Sequence, residues 1–414
     1  MHSLFKGVVI IFGLALVSCT PVPLCPAATK EQAQQAEAAL ADFAVNLYKN
    51  ISAQNQDENE VLSPVSVALA LAMLENGADG STRQQLDNAL VGLGSSADVL
   101  TSYRSIQKQL LIDDDKAKLS VASGLFEDKN LKLKDNYVGT TRDCLEAQVD
   151  NDNDFGHQLE QVRQKINKWV SDKTNGKIPE LYKPGVLKEE ARLVLANAIY
   201  FKSSWKKSFN KALTKHQTFY KNGQDTGKQT VPFMHDKDDY RHSSTQDADA
   251  LELPFQHPEL ALYVILPKAR DGLRSFDHSL SGKQLRLIIS SMQVRSVDVQ
   301  LPKFVVRSSI DLTAILTKMG LQNMFSNMAD FSRMSEVAMK VDGAIHEGYI
   351  NVNENGTEAA AATGISIVTT SVHLQPPQPV SFVADHPFLY AVLHKQTGAV
   401  VFLGKVTSVD AHNN

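Results

Sequence analysis

Apolar positions along the chain alternate between a helical and a strand period. Over 30–49, Ala36, Leu40, Phe43 and Leu47 recur at helical spacing and predict an amphipathic helix. The run from Val61 to Leu74 is apolar on nearly every side and opens with Ser63-Pro64. A serine cap with proline in the first turn starts a helix, and the missing polar face predicts a buried one. A strand is predicted over 119–125, and a helix through Ile166-Asn167-Lys168-Trp169-Val170 that closes at Thr174-Asn175-Gly176. The run 193–201 is apolar except for Asn197, as in a strand buried on both faces. A lone amide there must find partners or cost roughly 1–3 kcal/mol. Another strand is predicted over 261–266, ended by Pro267, and a helix near 312–319.

One stretch fits neither pattern. From Ala359 to Ala384 there is no charged residue, and from Gly356 to Gln375 no proline. Four consecutive alanines favour a short helix between Gly356 and Gly364. The opposite reading starts from the β-formers Ile365, Ile367, Val368, Thr369, Thr370 and Val372. In a strand, Thr357, Ala359, Ala361, Thr363, Ile365, Ile367 and Thr369 would share one face, with the charge of Glu358 on the other. Residue types alone leave both states open. Pro376, Pro377 and Pro379 end whatever precedes them.

A chain of 414 residues has the length of two or three domains, yet no linker, repeat or composition shift divides it after residue 30. Net charge is −4 with Lys and Arg spread along the chain, which argues against nucleic acid as a partner. Lys6 precedes an apolar run over 7–17 that is too short to span a bilayer and has the form of a signal peptide. Secretion is therefore expected. Leu16-Val17-Ser18-Cys19 also matches a bacterial lipobox, so a lipid anchor at Cys19 on a bacterial envelope is the alternative. Three cysteines make no disulfide framework, and pairing of Cys25 with Cys144 stays open. Asn50-Ile51-Ser52 and Asn355-Gly356-Thr357 are glycosylation sequons.

Chemistry for catalysis is missing from the sequence. It has no Gly-x-Ser-x-Gly elbow, no phosphate-binding Gly-x-x-x-x-Gly-Lys loop and no His-Glu-x-x-His. Gly92-Leu93-Gly94 follows a helix rather than a strand, so a dinucleotide loop is not expected. No Cys/His cluster has metal-ligand spacing, and no cofactor is expected.

The run Glu354-Asn355-Gly356-Thr357-Glu358-Ala359-Ala360-Ala361-Ala362 resembles the proximal hinge of the reactive-centre loop in serpins. Phe382-Val383-Ala384-Asp385-His386-Pro387-Phe388-Leu389-Tyr390 resembles the C-terminal signature of that family. Asn197-Ala198-Ile199-Tyr200-Phe201-Lys202 followed by Trp205, then Val231-Pro232-Phe233-Met234 and Leu301-Pro302-Lys303-Phe304, resemble further serpin segments in order. The resemblance covers residues 36–408. It implies an α+β fold in a single serpin domain, 30–409, behind an N-terminal segment 1–28. Helices would pack around three β-sheets, with the reactive-centre loop 354–379 exposed.

Resemblance also implies a suicide-substrate inhibitor of an extracellular serine protease, acting as a monomer. The protease would attack the loop, and the freed hinge would insert into the main sheet and trap the acyl-enzyme. The hinge is then Glu354, Gly356, Thr357, Glu358, Ala359, Ala360, Ala361, Ala362 and Thr363. Ser63, Ser66, Asn197 and His346 match the family's shutter, and Trp205 the point where the loop enters. Read alone, His346 on an apolar strand is a satisfied core residue; the resemblance adds a bond to Asn197 or to a helix serine. Counting 17 residues from Glu354 puts the scissile bond at Thr370–Ser371, whereas counting back from Pro376-Pro377 favours His373 or Leu374. No Lys or Arg lies between Asn355 and His394, so an elastase-like or chymotrypsin-like target is expected rather than a trypsin-like one. A sugar on Asn355 would obstruct insertion, so that sequon is discounted. Tyr103 to Lys118 carries only Arg104, Lys108, Lys116 and Lys118, and no heparin site is predicted. The alternative is a non-inhibitory serpin acting as carrier, chaperone or storage protein. Such hinges carry bulky or charged residues or proline, unlike this one.

Overall fold

The structure is a computed structural model that describes residues 28–92, 98–357 and 378–409. The residues expected to form the hinge, Glu358, Ala359, Ala360, Ala361, Ala362 and Thr363, lie outside them, as do Thr370, Ser371, His373, Leu374 and the expected leader within 1–27. The question of helix or strand for the alanine run lies outside them too.

The amphipathic start becomes α1 (Lys30–Ser52), whose stripe from Ala36 to Leu47 is buried. Ser63 caps α2 (Pro64–Gly77) by accepting the Ser66 amide at 3.3 Å, and α2 is buried almost throughout. Around these two lie α3 (Gly80–Leu90), α4 (Val99–Leu110) and α5 (Asp135–Leu145). On the opposite face of the main sheet runs α6 (Leu159–Lys173), followed by left-handed Asn175 and Gly176. Short helices α7 (Leu273–Ser279), α8 (Gly282–Ser290) and α9 (Leu312–Lys318) complete the set.

The strands form two continuous ladders. The larger has nine strands. Its order is β1 (Glu60–Leu62), β16 (Ala399–Val406), β15 (Phe388–His394), β9 (Leu260–Pro267), β8 (Ala248–Pro254), β7 (Lys228–Ser244), β10 (Gln293–Pro302) and β14 (Val380–Val383). The ninth strand, β6 (Lys215–Tyr220), pairs with the first half of β7. Seventeen-residue β7 pairs β6 through its first half and β8 through its last four residues. The expected second and third sheets are therefore joined through β7 and β10.

The other ladder is the main sheet. Its order is β11 (Phe304–Asp311), β12 (Gly343–Asn353), β13 (Gly356–Thr357), β5 (Leu193–Ser204), β3 (Ala117–Asp128) and β2 (Ile112–Asp113), with β4 (Gln148–Asn153) on β3. Alternate residues of β5 belong to two cores. Leu193, Leu195, Ile199 and Phe201 join the large core with α1 and α2. Val194, Ala196 and Ala198 pack under Val162, Ile166 and Val170 of α6. A strand buried on both faces explains why its sequence reads as an unbroken apolar run.

Candidate functional site

Asn197 is the polar exception on β5, and the structure surrounds it with partners. Its Oδ1 accepts from Ser66 Oγ at 2.6 Å, and its Nδ2 donates to the Ser66 carbonyl at 2.9 Å and to Ser123 Oγ at 3.2 Å. His346, level with it on the parallel strand β12, places Nδ1 2.9 Å from the same Oδ1. The Ser63 amide donates to His346 Nε2 at 2.9 Å. Both alternatives for the histidine's partner, Asn197 and a helix serine, are thus engaged at once. Because Nε2 accepts an amide, the proton sits on Nδ1 and the ring is neutral. A second ring proton would face the Ser63 N–H head on.

Complete burial pushes the His346 ring down to about 4. Unfolded histidine titrates near 6.5, so between these values the unfolded chain binds a proton that the native one refuses. The stability this provides is complete above pH 6.5 and is lost as pH falls towards 4, by roughly 3 kcal/mol in all at about 1.4 kcal/mol per pH unit. Thermal midpoints of the wild type and His346→Asn should therefore converge as pH drops from 7 to 4. Parallel profiles across that range would refute the assignment.

The second half of the site is the top of the main sheet. β5 and β12 pair directly over five residue pairs, from Val194/Gly343 to Ala198/Glu347. At the upper end β13 sits between them, with Gly356 and Thr357 opposite Ser204 and Ser203 on one side and Asn353 and Val352 on the other. Residues 199–202 and 348–351 lie between these zones with no strand pairing across the gap, among the described residues. Gly356 has φ 141°, and a Cβ there would collide with the Ser203 carbonyl, so glycine is required at this position. Gly348 is needed for closeness too, since a Cβ would come within 2.7 Å of the Val61 carbonyl beneath it.

Trp205 holds the turn between β12 and β13. Its amide donates to the Asn355 carbonyl at 2.9 Å and its indole Nε1 to the Asn353 carbonyl at 2.8 Å, while the Phe209 amide donates to the Glu354 carbonyl at 2.9 Å. The indole stacks on Phe255 with centroids 4.6 Å apart. Glu354 is clamped by Thr214 Oγ1, which donates to it at 3.0 Å, and by Lys303 Nζ at 3.3 Å. Burial raises the affinity of this carboxyl for protons, but its own backbone amide, Thr214 and Lys303 outweigh burial and hold it below the usual range.

The structure thus brings Ser63, Ser66, Asn197 and His346 into one cluster, and Trp205 with Glu354, Gly356 and Thr357 into another. Thr214, Phe209, Ser123 and Lys303 take part without having been singled out by sequence. Only Lys303 had a signal, as part of Leu301-Pro302-Lys303-Phe304. The sequon serine, Ser52, is buried and accepts from Lys405 Nζ at 2.8 Å. Among the described residues no group of three or more His, Cys, Asp or Glu side chains can hold a metal.

A family model described as serpin (serine protease inhibitor) matches residues 38–409. The leukocyte elastase inhibitor of Sus scrofa is 33% identical, over 91% of this chain and 100% of its own. Human thyroxine-binding globulin complexed with thyroxine superposes with a TM-score of 0.83 at 28% identity, covering 91% of this chain and 99% of that one. The thermophilic serpin tengpin in its native state gives a TM-score of 0.81 at 25% identity, covering 93% and 96%. With the family matched from 38 to 409 and its fold reproduced, the chain belongs to the serpin family.

Proposed function

We propose that this serpin is a suicide-substrate inhibitor of serine proteases, with the loop 354–379 as bait and the bond at Thr370–Ser371, or at His373 or Leu374. The observation that carries the reading is the seat of β13 between β5 and β12. Continuing its register downwards sets residue 359 level with Phe201 and Ile350, 361 with Ile199 and Gly348, and 363 with Asn197 and His346. These odd positions face the large core, where Ala359, Ala361 and Thr363 are small enough to pass. Even positions face α6, where Ala360, Ala362 and Gly364 offer the least bulk; Glu358 falls level with half-buried Lys202. Residues 358–361 fill the gap already open, and from 362 onwards each inserted residue replaces a β5–β12 pair. Thr363 arrives opposite Asn197 and His346, so that cluster is the latch that insertion must open.

Insertion adds a central strand with two sets of ladder bonds and buries the Ile and Val residues that follow, which supplies the drive. An apolar or small bait residue fits an elastase-like or chymotrypsin-like pocket. Mixed separately with elastase, chymotrypsin and trypsin, the protein should give a covalent band that survives denaturation with elastase or chymotrypsin and not with trypsin. Sequencing the released C-terminal fragment would locate the bond. The carrier, chaperone or storage reading draws on the similarity to a thyroxine-binding globulin. It would take over if the loop were cut with neither a covalent complex nor a rise in thermal midpoint.

Export completes the reading. It rests on the apolar run after Lys6, which has the form of a signal peptide. A mature protein that begins after the leader distinguishes secretion from lipid attachment at Cys19.

A further inference from the structure

Behind the loop that holds the hinge turn lies a cleft of about 420 Å³ that the inhibitory cycle does not use. Its apolar wall is Trp205, Phe209, Leu253 and Pro254, and Val294 stands at its rim with 67% of its surface exposed. Trp205, Phe209 and Leu253 are buried and form the floor of the cleft, so Val294 is its strongly exposed apolar residue. Its polar side is cationic in balance. Arg241 Nη1 and Lys395 Nζ both bind the one buried carboxylate of Glu252, each at 2.6 Å, which leaves one positive charge in excess. Exposed Lys206 lines the same cleft. Of the acidic lining residues, Asp238 is tied to Lys207 at 2.6 Å and Asp239 lies exposed.

An apolar wall beside two cations that share one carboxylate fits a molecule with an apolar body and a single anionic head. We infer that this cleft binds a small amphipathic organic anion, such as a medium-chain carboxylate. The carboxylate pairs with Lys395 and Arg241 while the chain lies against Trp205, Leu253 and Val294. The wall and the hinge share residues: Trp205 and Phe209 line the cleft on one side and hold the carbonyls of 353–355 on the other. Occupancy therefore biases how firmly the hinge turn is docked. This last step rests on the insertion reading, whereas the binding site itself does not.

Trp205 is one of two tryptophans, so the Trp169→Phe variant reports on the cleft alone. Titrating that protein with decanoate should give a saturable change in indole fluorescence, and decylamine at the same concentrations should give none. Val294→Asp, which adds a negative charge at an exposed rim position, should weaken decanoate at least tenfold while leaving the thermal midpoint unchanged. An absent response to decanoate, an equal response to decylamine, or indifference to Val294→Asp would overturn the site. Loop-cleaved protein should bind decanoate at least threefold more tightly or more weakly than intact protein. Equal affinities would overturn the coupling to the hinge, and neither readout requires a protease to be trapped.

Discussion

Thr357→Arg should convert the protein from a trap into a substrate. Thr357 is 1% exposed between Val352 and Ser203, and its hydroxyl oxygen accepts the Ser203 amide at 3.2 Å. Arginine there would bury an unpaired charge at the entry to the sheet, at a cost of several kcal/mol. Trapping is a race between strand insertion and hydrolysis of the acyl-enzyme, and each 1.4 kcal/mol added to the insertion barrier slows it about tenfold. The yield of covalent complex should fall at least tenfold, while the loop is still cleaved and the cleaved product loses its rise in thermal midpoint. Thr357→Ser, which keeps the hydroxyl, should behave as wild type. Undiminished complex formation by the arginine variant would mean that the loop does not enter through β13.

Asn197→Ala should cost about 3–5 kcal/mol in urea unfolding, since it strands several buried groups together. The side chain carries the Ser66 hydroxyl and carbonyl, Ser123 Oγ and His346 Nδ1, all buried between α2, β3, β5 and β12. Because the same amide ties β5 to β12 at the level where Thr363 would arrive, the variant should also open the sheet without cleavage. Spontaneous conversion to polymers or to a loop-inserted form at 37 °C should accelerate by an order of magnitude or more, as expected for a barrier lowered by over 1.4 kcal/mol. A loss of under 1 kcal/mol, with no faster conversion, would show that the latch is elsewhere.

Local chemistry was readable where neighbours in sequence are neighbours in space. Ser63 and Pro64 announced the start of α2, and the glycine-marked end of α6 was visible for the same reason. Asn197 stood out as a polar interruption, so that a satisfied buried amide could be expected. Its partners could not be found by spacing: Ser66, Ser123 and His346 lie 131, 74 and 149 positions away. The clamp on Glu354 is equally remote, with Thr214 140 positions before it and Lys303 on the approach to another strand. The joining of the second and third sheets was hidden because a 17-residue strand has one hydrophobic period whether it serves one sheet or two.

The hinge shows the division of labour most clearly. Residue types alone determined that one strand face of 357–365 carries no charge or long side chain, that Glu358 lies opposite, and that no basic bait residue is present. On propensity they favoured a helix over a strand, because alanine carries high helix propensity and no packing information. Tertiary structure decided where such a strand would go. β5 and β12 part above Ala198 and Glu347, and β13 sits between them at the upper end, with Thr357 level with Ser203 and Val352. That geometry depends on a sheet assembled from distant segments, a property that no window of the sequence contains.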